Sequence, residues 1–497
     1  MTATLKQHLP VLLVVGPLLV AYILPVLFRR TRLIRGLTVA IVALGLLGTG
    51  YLAIFLLPSV GSSIVYGVGG WSAPWGIELV AGNLGVFFAL MVTGVGLPIS
   101  LYACGALGQE VSPSETRSKF LVLYLLLTGA LAGMAFTNDM FNIFVLVEVA
   151  TLSCCGLVSA RRGAKAASAA FNYLVLATIG SSFILAGIGM VYITTGHLNI
   201  GFANGELVKA WSTYPHVIWL AVSFFLVGFG VKGALFPLHV WLPDAHSSAP
   251  TPASAILSAL AVKGYALCLM KILYGVFGAS LITTLGVNRI LVILGMVGTM
   301  AASILALGQE ELKRRLAFST VAQVGYVFLG LGLVNVTGLT GTLYHMASHA
   351  MIKSSLFLAA GTIVTTTGKT RISELAGIGK KMPVTMAVFT IASLGLVGIP
   401  LFSGFVGKWY LLLGSLEVGG VLAAAVIILG SVLCAAYLFP IIRVAYFEPA
   451  PQEDWQDPGV LEKIAMIGLA VGVLVLGTVP GSYLEMAVQA ASELLFK

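Results

Sequence analysis

Apolar residues form long runs along this chain, and charged or turn-forming residues cluster in short stretches between them. Charges, Pro and Gly mark out fourteen apolar spans, at 9–28, 36–57, 79–105, 119–137, 140–160, 168–195, 215–238, 249–275, 288–308, 316–335, 338–366, 384–413, 419–443 and 461–480. A helix needs roughly 20 apolar residues to cross a bilayer. The pattern therefore predicts an all-α polytopic membrane protein with about 14 transmembrane helices. Many spans contain Gly, as close helix packing in lipid permits. The first run has no small-residue cleavage site after it and leads into Arg29, Arg30, Arg32 and Arg35, so it reads as a retained span.

Composition agrees. Of 497 residues, 59% are hydrophobic and only 9% charged, against about 25% charged in a soluble domain. So few charges cannot clothe a water-exposed globule, which excludes a soluble enzyme and a disordered or nucleic-acid-binding tail. The five cysteines, Cys104, Cys154, Cys155, Cys268 and Cys434, lie in apolar runs without metal-ligand spacing and read as small buried residues.

The distribution of charge sets an orientation. With the N-terminus outside, the odd-numbered loops hold eighteen Lys and Arg, in clusters such as Arg29–Arg35, Arg161–Lys165, Lys313–Arg315 and Lys369–Lys381. The other side holds five: Lys6, Lys209, Lys271, Arg289 and Lys497. The positive-inside rule then places both termini on the outer side of the cell membrane. Four lysines remain, Lys232, Lys263, Lys353 and Lys408, each inside an apolar run.

A charge near the bilayer centre costs about 2.5–3.5 kcal/mol on insertion scales, so such groups mark a polar interior with a task. Glu148 sits near the middle of span five. Asp139 lies at that span's outer end, where it is either part of the polar series or an N-cap. Lys232 is surrounded by Gly228, Gly230 and Gly233 and followed by Pro237, the composition of a broken helix with freed carbonyls. His239, Asp244 and His246 follow, and Lys263 is mid-span in span eight. His345, His349 and Lys353 are spaced four apart, a polar stripe about 12 Å long on one helix face. Lys408 again follows Pro400, Gly404 and Gly407. GFGVKGALFP and GFVGKWYLL place a lysine in Gly-interrupted spans seven and twelve. Paired broken helices signal inverted repeats, here two five-helix units made of spans four to eight and nine to thirteen. The chain divides into a three-helix segment (1–110), a first repeat (111–280), a second repeat (281–445) and a C-terminal loop and last helix (446–497).

A Glu–Lys–Lys–His–Lys series with intervening water suits proton movement, since a buried lysine responds to a carboxylate's distance and histidine relays protons near neutral pH. Nothing resembles a nucleotide, flavin, haem, iron–sulfur or metal site. No cofactor is expected, and the chain alone should catalyse no redox chemistry, though it suits the ion-pumping part of an oxidoreductase complex.

The stretches NDMFNIFVLVE, VKGALFPLHVWLPDAHSSAPTPASAILSALAVKGYAL, LYHMASHAMIKSSLFLAAG and GIPLFSGFVGKWYLL together resemble the antiporter-like subunits. These occur in Mrp-type cation/proton antiporters, membrane-bound hydrogenase-type complexes and the complex I membrane arm. The resemblance spans roughly 75–445 and implies a fourteen-helix fold with spans seven and twelve broken and two inverted repeats. It pairs Glu148 with Lys232 and carries the pathway on through Lys263, His345, His349 and Lys408. GGWSAPWGIELV looks like the D-type Mrp subunit, and WLPDAH like the complex I and hydrogenase relatives. Asn83 stands where many D-type relatives have an acid.

The expectation is a proton-translocating subunit of an Mrp-type Na⁺/H⁺ antiporter or an Mrp-derived respiratory complex. Other membrane subunits would be its partners, any Na⁺ path would lie in one of them, and nucleic acid is not a partner. The alternatives are a complex I membrane-arm subunit, a stand-alone secondary transporter and a non-transporting scaffold.

Overall fold

The computed structural model describes residues 2–28, 30–56, 62–449, 453 and 455–496. Arg29 and Lys497 of the charge pattern, and residue 57 at the end of span two, lie outside the described residues. Twelve described helices are long and apolar enough to cross a membrane, and they coincide with spans one to nine, eleven, thirteen and fourteen. Span ten is the helix Leu312–Leu331, whose first turn carries Lys313, Arg314 and Arg315. Span twelve is two shorter helices, Pro383–Val397 and Ser403–Glu417. The chain is a multi-pass, almost entirely helical membrane protein.

Several elements fall outside the apolar pattern. Strands β1 (Ile64–Gly67) and β2 (Glu78–Ala81) pair antiparallel just before span three. The Glu78 carboxylate ties this hairpin down by accepting from Asn138 Nδ2 at 2.6 Å and Asn199 Nδ2 at 2.9 Å. A helix at Ile200–Ala210 follows span six, and a C-terminal helix at Gly481–Leu495 follows span fourteen. Asn83 donates to Glu493 of that last helix at 2.7 Å, so Asn83 ties the C-terminus to span three.

Both expected breaks are present. The first half of span seven, Pro215–Lys232, ends on Lys232 itself, Ala234 adopts φ +57°, and the helix resumes at Trp241–Ser248. Trp241 Nε1 donates to the Val231 carbonyl at 2.8 Å, satisfying an acceptor that the break would strand. In span twelve Gly398, at φ +90°, and Leu401, at φ +79°, separate the two halves. Here Gly407 is required, because a Cβ would stand 2.8 Å from the His345 backbone.

Burial separates centre from rim. The peripheral spans one and two have about a third or less of their most apolar stretch buried, and they turn residues such as Leu44, Leu47 and Ile54 outward. In span eight, Thr251–Thr284, 94% of that stretch is buried. This span holds two π-helical turns, Leu257–Ala261 and Leu273–Phe277, a form that often marks functional sites.

Candidate functional site: a buried line of charges between two broken helices

Glu148 and Thr151 sit one turn apart on span five, so both point to the same side. That side meets the end of the first half of span seven. Lys232 Nζ donates to Glu148 Oε1 at 2.8 Å and to Thr151 Oγ1 at 2.7 Å. Ser181 of span six also donates to Glu148. Lys232 is wholly buried, whereas the Glu148 side chain keeps 30% of its surface open. The Thr151 hydroxyl lies 3.2 Å from Tyr265 Oη of span eight, which begins a link inward.

Lys263 lies two residues before Tyr265 on span eight. Its ammonium donates to the Ser258 carbonyl inside the first π-helical turn. The Ser258 and Thr320 hydroxyls, 2.8 Å apart, join span eight to span ten. Across span ten, Lys353 donates to the Leu316 carbonyl at 2.8 Å and to the Ser319 hydroxyl. Lys263 and Lys353 are close enough for their charges to interact, and His349 is near both.

Span eleven carries the line onward. The His345 and His349 rings are parallel, with centroids 5.8 Å apart, and His345 meets Tyr326 edge-on at 5.4 Å. Among the described residues neither ring nitrogen of His349 has a hydrogen-bond partner, although the residue is fully buried. Buried polar atoms are ordinarily satisfied, so this is a place for water. Lys408 Nζ sits 5.1 Å from the Tyr326 ring centroid. It donates to the carbonyls of Leu396 at 2.8 Å and Val397 at 3.0 Å, and to Ser431 Oγ at 3.1 Å. Those carbonyls end the helix Pro383–Val397, where the peptide dipoles favour a cation.

The structure thus gathers Glu148, Lys232, Lys263, His345, His349, Lys353 and Lys408 into one line. His246 lies beside it, buried and stacked on Phe357 at 4.9 Å. The other three candidates stand apart. Asp139 caps span five by accepting from the Asn142 N–H at 2.7 Å, and burial pushes its carboxyl above the usual carboxylate range. Asp244 forms an ion pair with Arg314 at 2.6 Å near the surface. His239 packs against the Phe236 and Phe318 rings. Among the described residues no group of three or more His, Cys, Asp or Glu gathers to hold a metal ion.

Sequence reasoning missed the hydroxyls that complete the line, Thr151, Ser181, Ser258, Ser319 and Ser431, and the ring of Tyr326. The spacing of three from Glu148 to Thr151 was a usable signal. It also took Lys313 and Arg315 for loop cations, whereas both are buried in the first turn of span ten.

Residues 137–434 match the family model described as NADH:quinone oxidoreductase/Mrp antiporter, TM. The chain belongs to this family. The matched NADH:quinone oxidoreductase/Mrp antiporter region contains every residue of the buried line. Over 98% of the chain and 99% of the relative, the sequence is 39% identical to NADH-quinone oxidoreductase subunit N of Desulforudis audaxviator. The fold superposes with a TM-score of 0.90, at 31% identity and 98% coverage of both chains, on a subunit of the membrane-bound sulfane sulfur reductase, an archaeal respiratory membrane complex. It superposes with a TM-score of 0.89, at 25% identity and 99% and 98% coverage, on a subunit of the Mrp complex from Dietzia sp..

Proposed function

We propose that this chain is the proton-translocating, antiporter-like subunit of a hetero-oligomeric complex in the cell membrane, of the Mrp antiporter or Mrp-derived respiratory kind. The observation that carries this is the ion pair of Glu148 with Lys232 at the break of span seven, continued by buried cations to Lys408 at the break of span twelve. A buried pair that loses one member leaves an uncompensated charge, at about 3–5 kcal/mol. Movement of Glu148 therefore has leverage over the proton on Lys232. Thr151, Tyr265, Lys263 and the paired histidines offer the onward steps.

A partner subunit follows from the open side of Glu148. Its helix presents Phe141, Val145 and Leu152 outward, and span six presents Thr178 and Ser182 on its own outer surface. A carboxylate facing acyl chains in mid-span is costly. That face is covered by protein, and a charge arriving there would act directly on the pair. The identity to a subunit N supports a second reading, a complex I-type membrane arm, in which the same line would serve a redox-driven pump.

The test is Glu148→Gln in the assembled complex reconstituted in liposomes. Coupled transport is lost while assembly stays normal; wild-type transport from a well-assembled variant would refute the role. The cation clusters support both termini outside. Cysteine replacing Lys209 is then labelled by an impermeant external reagent and cysteine replacing Arg162 is protected, and the reverse labelling would overturn that orientation.

A further inference from the structure

A second polar site lies at a membrane end of the protein, away from Glu148 and Lys408. Spans six and ten begin there, and the second half of span seven and span eleven end there. Between them is a cavity of about 300 Å³ lined by Arg161, Arg162, Lys165, Lys313, Ser248 and Glu311, among others. Four cations line it with one carboxylate, Glu311, and a second carboxylate, Glu110, accepts from the Thr251 N–H at 3.0 Å and acts on Lys313 from beyond ion-pair distance. Glu311 is only 3.9 Å from Lys165, a pair at the limit of contact and largely exposed on the lysine side.

Lys313 is only 3% exposed, yet among the described residues no carboxylate lies within ion-pair distance of it. It makes long contacts to two neutral oxygens, the Ala249 carbonyl at 3.3 Å and Thr251 Oγ1 at 3.4 Å. A buried cation with such weak company is normally matched by an anion. Ser248, 4% exposed, lines the same cavity, and among the described residues its hydroxyl has no hydrogen-bond partner. The 32-residue helix Ala164–Thr195 also opens here, with no side chain capping its first turn. Gly163, at φ +132°, leads into it with open space where a Cβ would be. The free N–H groups and dipole of such a helix start favour an anion.

We propose that this cavity binds a phosphate group, with Lys313 and the helix start as its floor and Arg161, Arg162 and Lys165 as its rim. The depth, at the ends of membrane spans, suits the phosphate of an anionic lipid headgroup, and the same chemistry would accept free phosphate. Basic pockets between spans are a recurrent way of holding anionic lipids.

The experiment uses the intact purified complex after delipidation. Short-chain phosphatidylglycerol, inorganic phosphate and diacylglycerol are titrated separately, and thermal unfolding of the complex is followed. Phosphatidylglycerol is expected to stabilise it saturably and diacylglycerol not at all. Arg161→Gln and Arg162→Gln, at exposed rim positions, should each raise the half-saturating concentration about fivefold. If inorganic phosphate saturates the same response and competes, the bound group is free phosphate; if it does neither, the group belongs to lipid. The proposal falls if neither phosphate probe stabilises the complex, or if both variants titrate like the wild type.

Discussion

The two broken helices hold their lysines in opposite ways. At span seven, Lys232 faces a carboxylate, Glu148, and one hydroxyl, Thr151. At span twelve, Lys408 faces two backbone carbonyls, at Leu396 and Val397, and one hydroxyl, Ser431. The first partner is a carboxylate on a side chain that keeps 30% of its surface open. The second is a set of dipoles fixed in the chain's own helix end. A movable charge makes a switch, because its displacement changes an ion pair by several kcal/mol. A fixed dipole set makes a constant, holding a cation whatever happens at the far end. On the proposed function, the line of charges would have a controlled end at Glu148 and a passive end at Lys408.

The largest expected effect breaks the controlled end. Glu148→Gln should reduce coupled transport about 100-fold or more, since loss of one partner of a buried pair is worth roughly 3–5 kcal/mol. Lys408→Ala comes next, with proton flux in liposomes falling on the order of tenfold or more, as does Lys263→Ala. Equilibrium Na⁺ affinity of the complex should stay unchanged in both, because a basic line repels a dehydrated cation; weaker Na⁺ binding in both would assign the Na⁺ path to this chain. Thr151→Val removes one hydrogen bond to a charged group but keeps the ion pair, and should slow flux about tenfold. Ser431→Ala should slow it only about twofold, because Lys408 keeps both carbonyls. A Ser431→Ala effect as large as that of Thr151→Val would erase the distinction between the two ends.

Much of this was legible in the sequence, for a physical reason. A charge in an apolar run stands out because lipid makes it costly, so Glu148, Lys232, Lys263, Lys353 and Lys408 were visible one by one. The breaks were visible too, because Gly228, Gly230, Gly233 and Pro237 do not belong together in a continuous helix. The hydroxyls were hidden, because Ser and Thr in a membrane helix usually bond to their own preceding turn. Thr151 does this as well, donating to the Val147 carbonyl at 2.7 Å. Asp139 looked the same as a pathway residue or a cap until the Asn142 N–H was seen to point at it. The β1–β2 hairpin lies in a Gly- and Trp-rich stretch with neither a helical nor an alternating period. Lys313 and Arg315 were counted as loop cations because nothing local to KRR shows which of its residues the rest of the fold encloses.

Span eight, enclosed by other helices along almost its whole apolar stretch, has a consequence for how the protein is made. A helix that emerges alone into lipid must tolerate lipid on every side, and Lys263 halfway along it does not. Alone in lipid, span eight would carry that lysine at a cost of about 2.5–3.5 kcal/mol. The cost is relieved as spans four and five, already in place, receive it and spans ten and eleven, synthesised later, close over it. Between those moments its lysine and its opened π-helical turns are without their final neighbours. Biogenesis of this subunit is then least protected at that stage, and a charge or bulk added to span eight would be felt first as failed maturation of the chain.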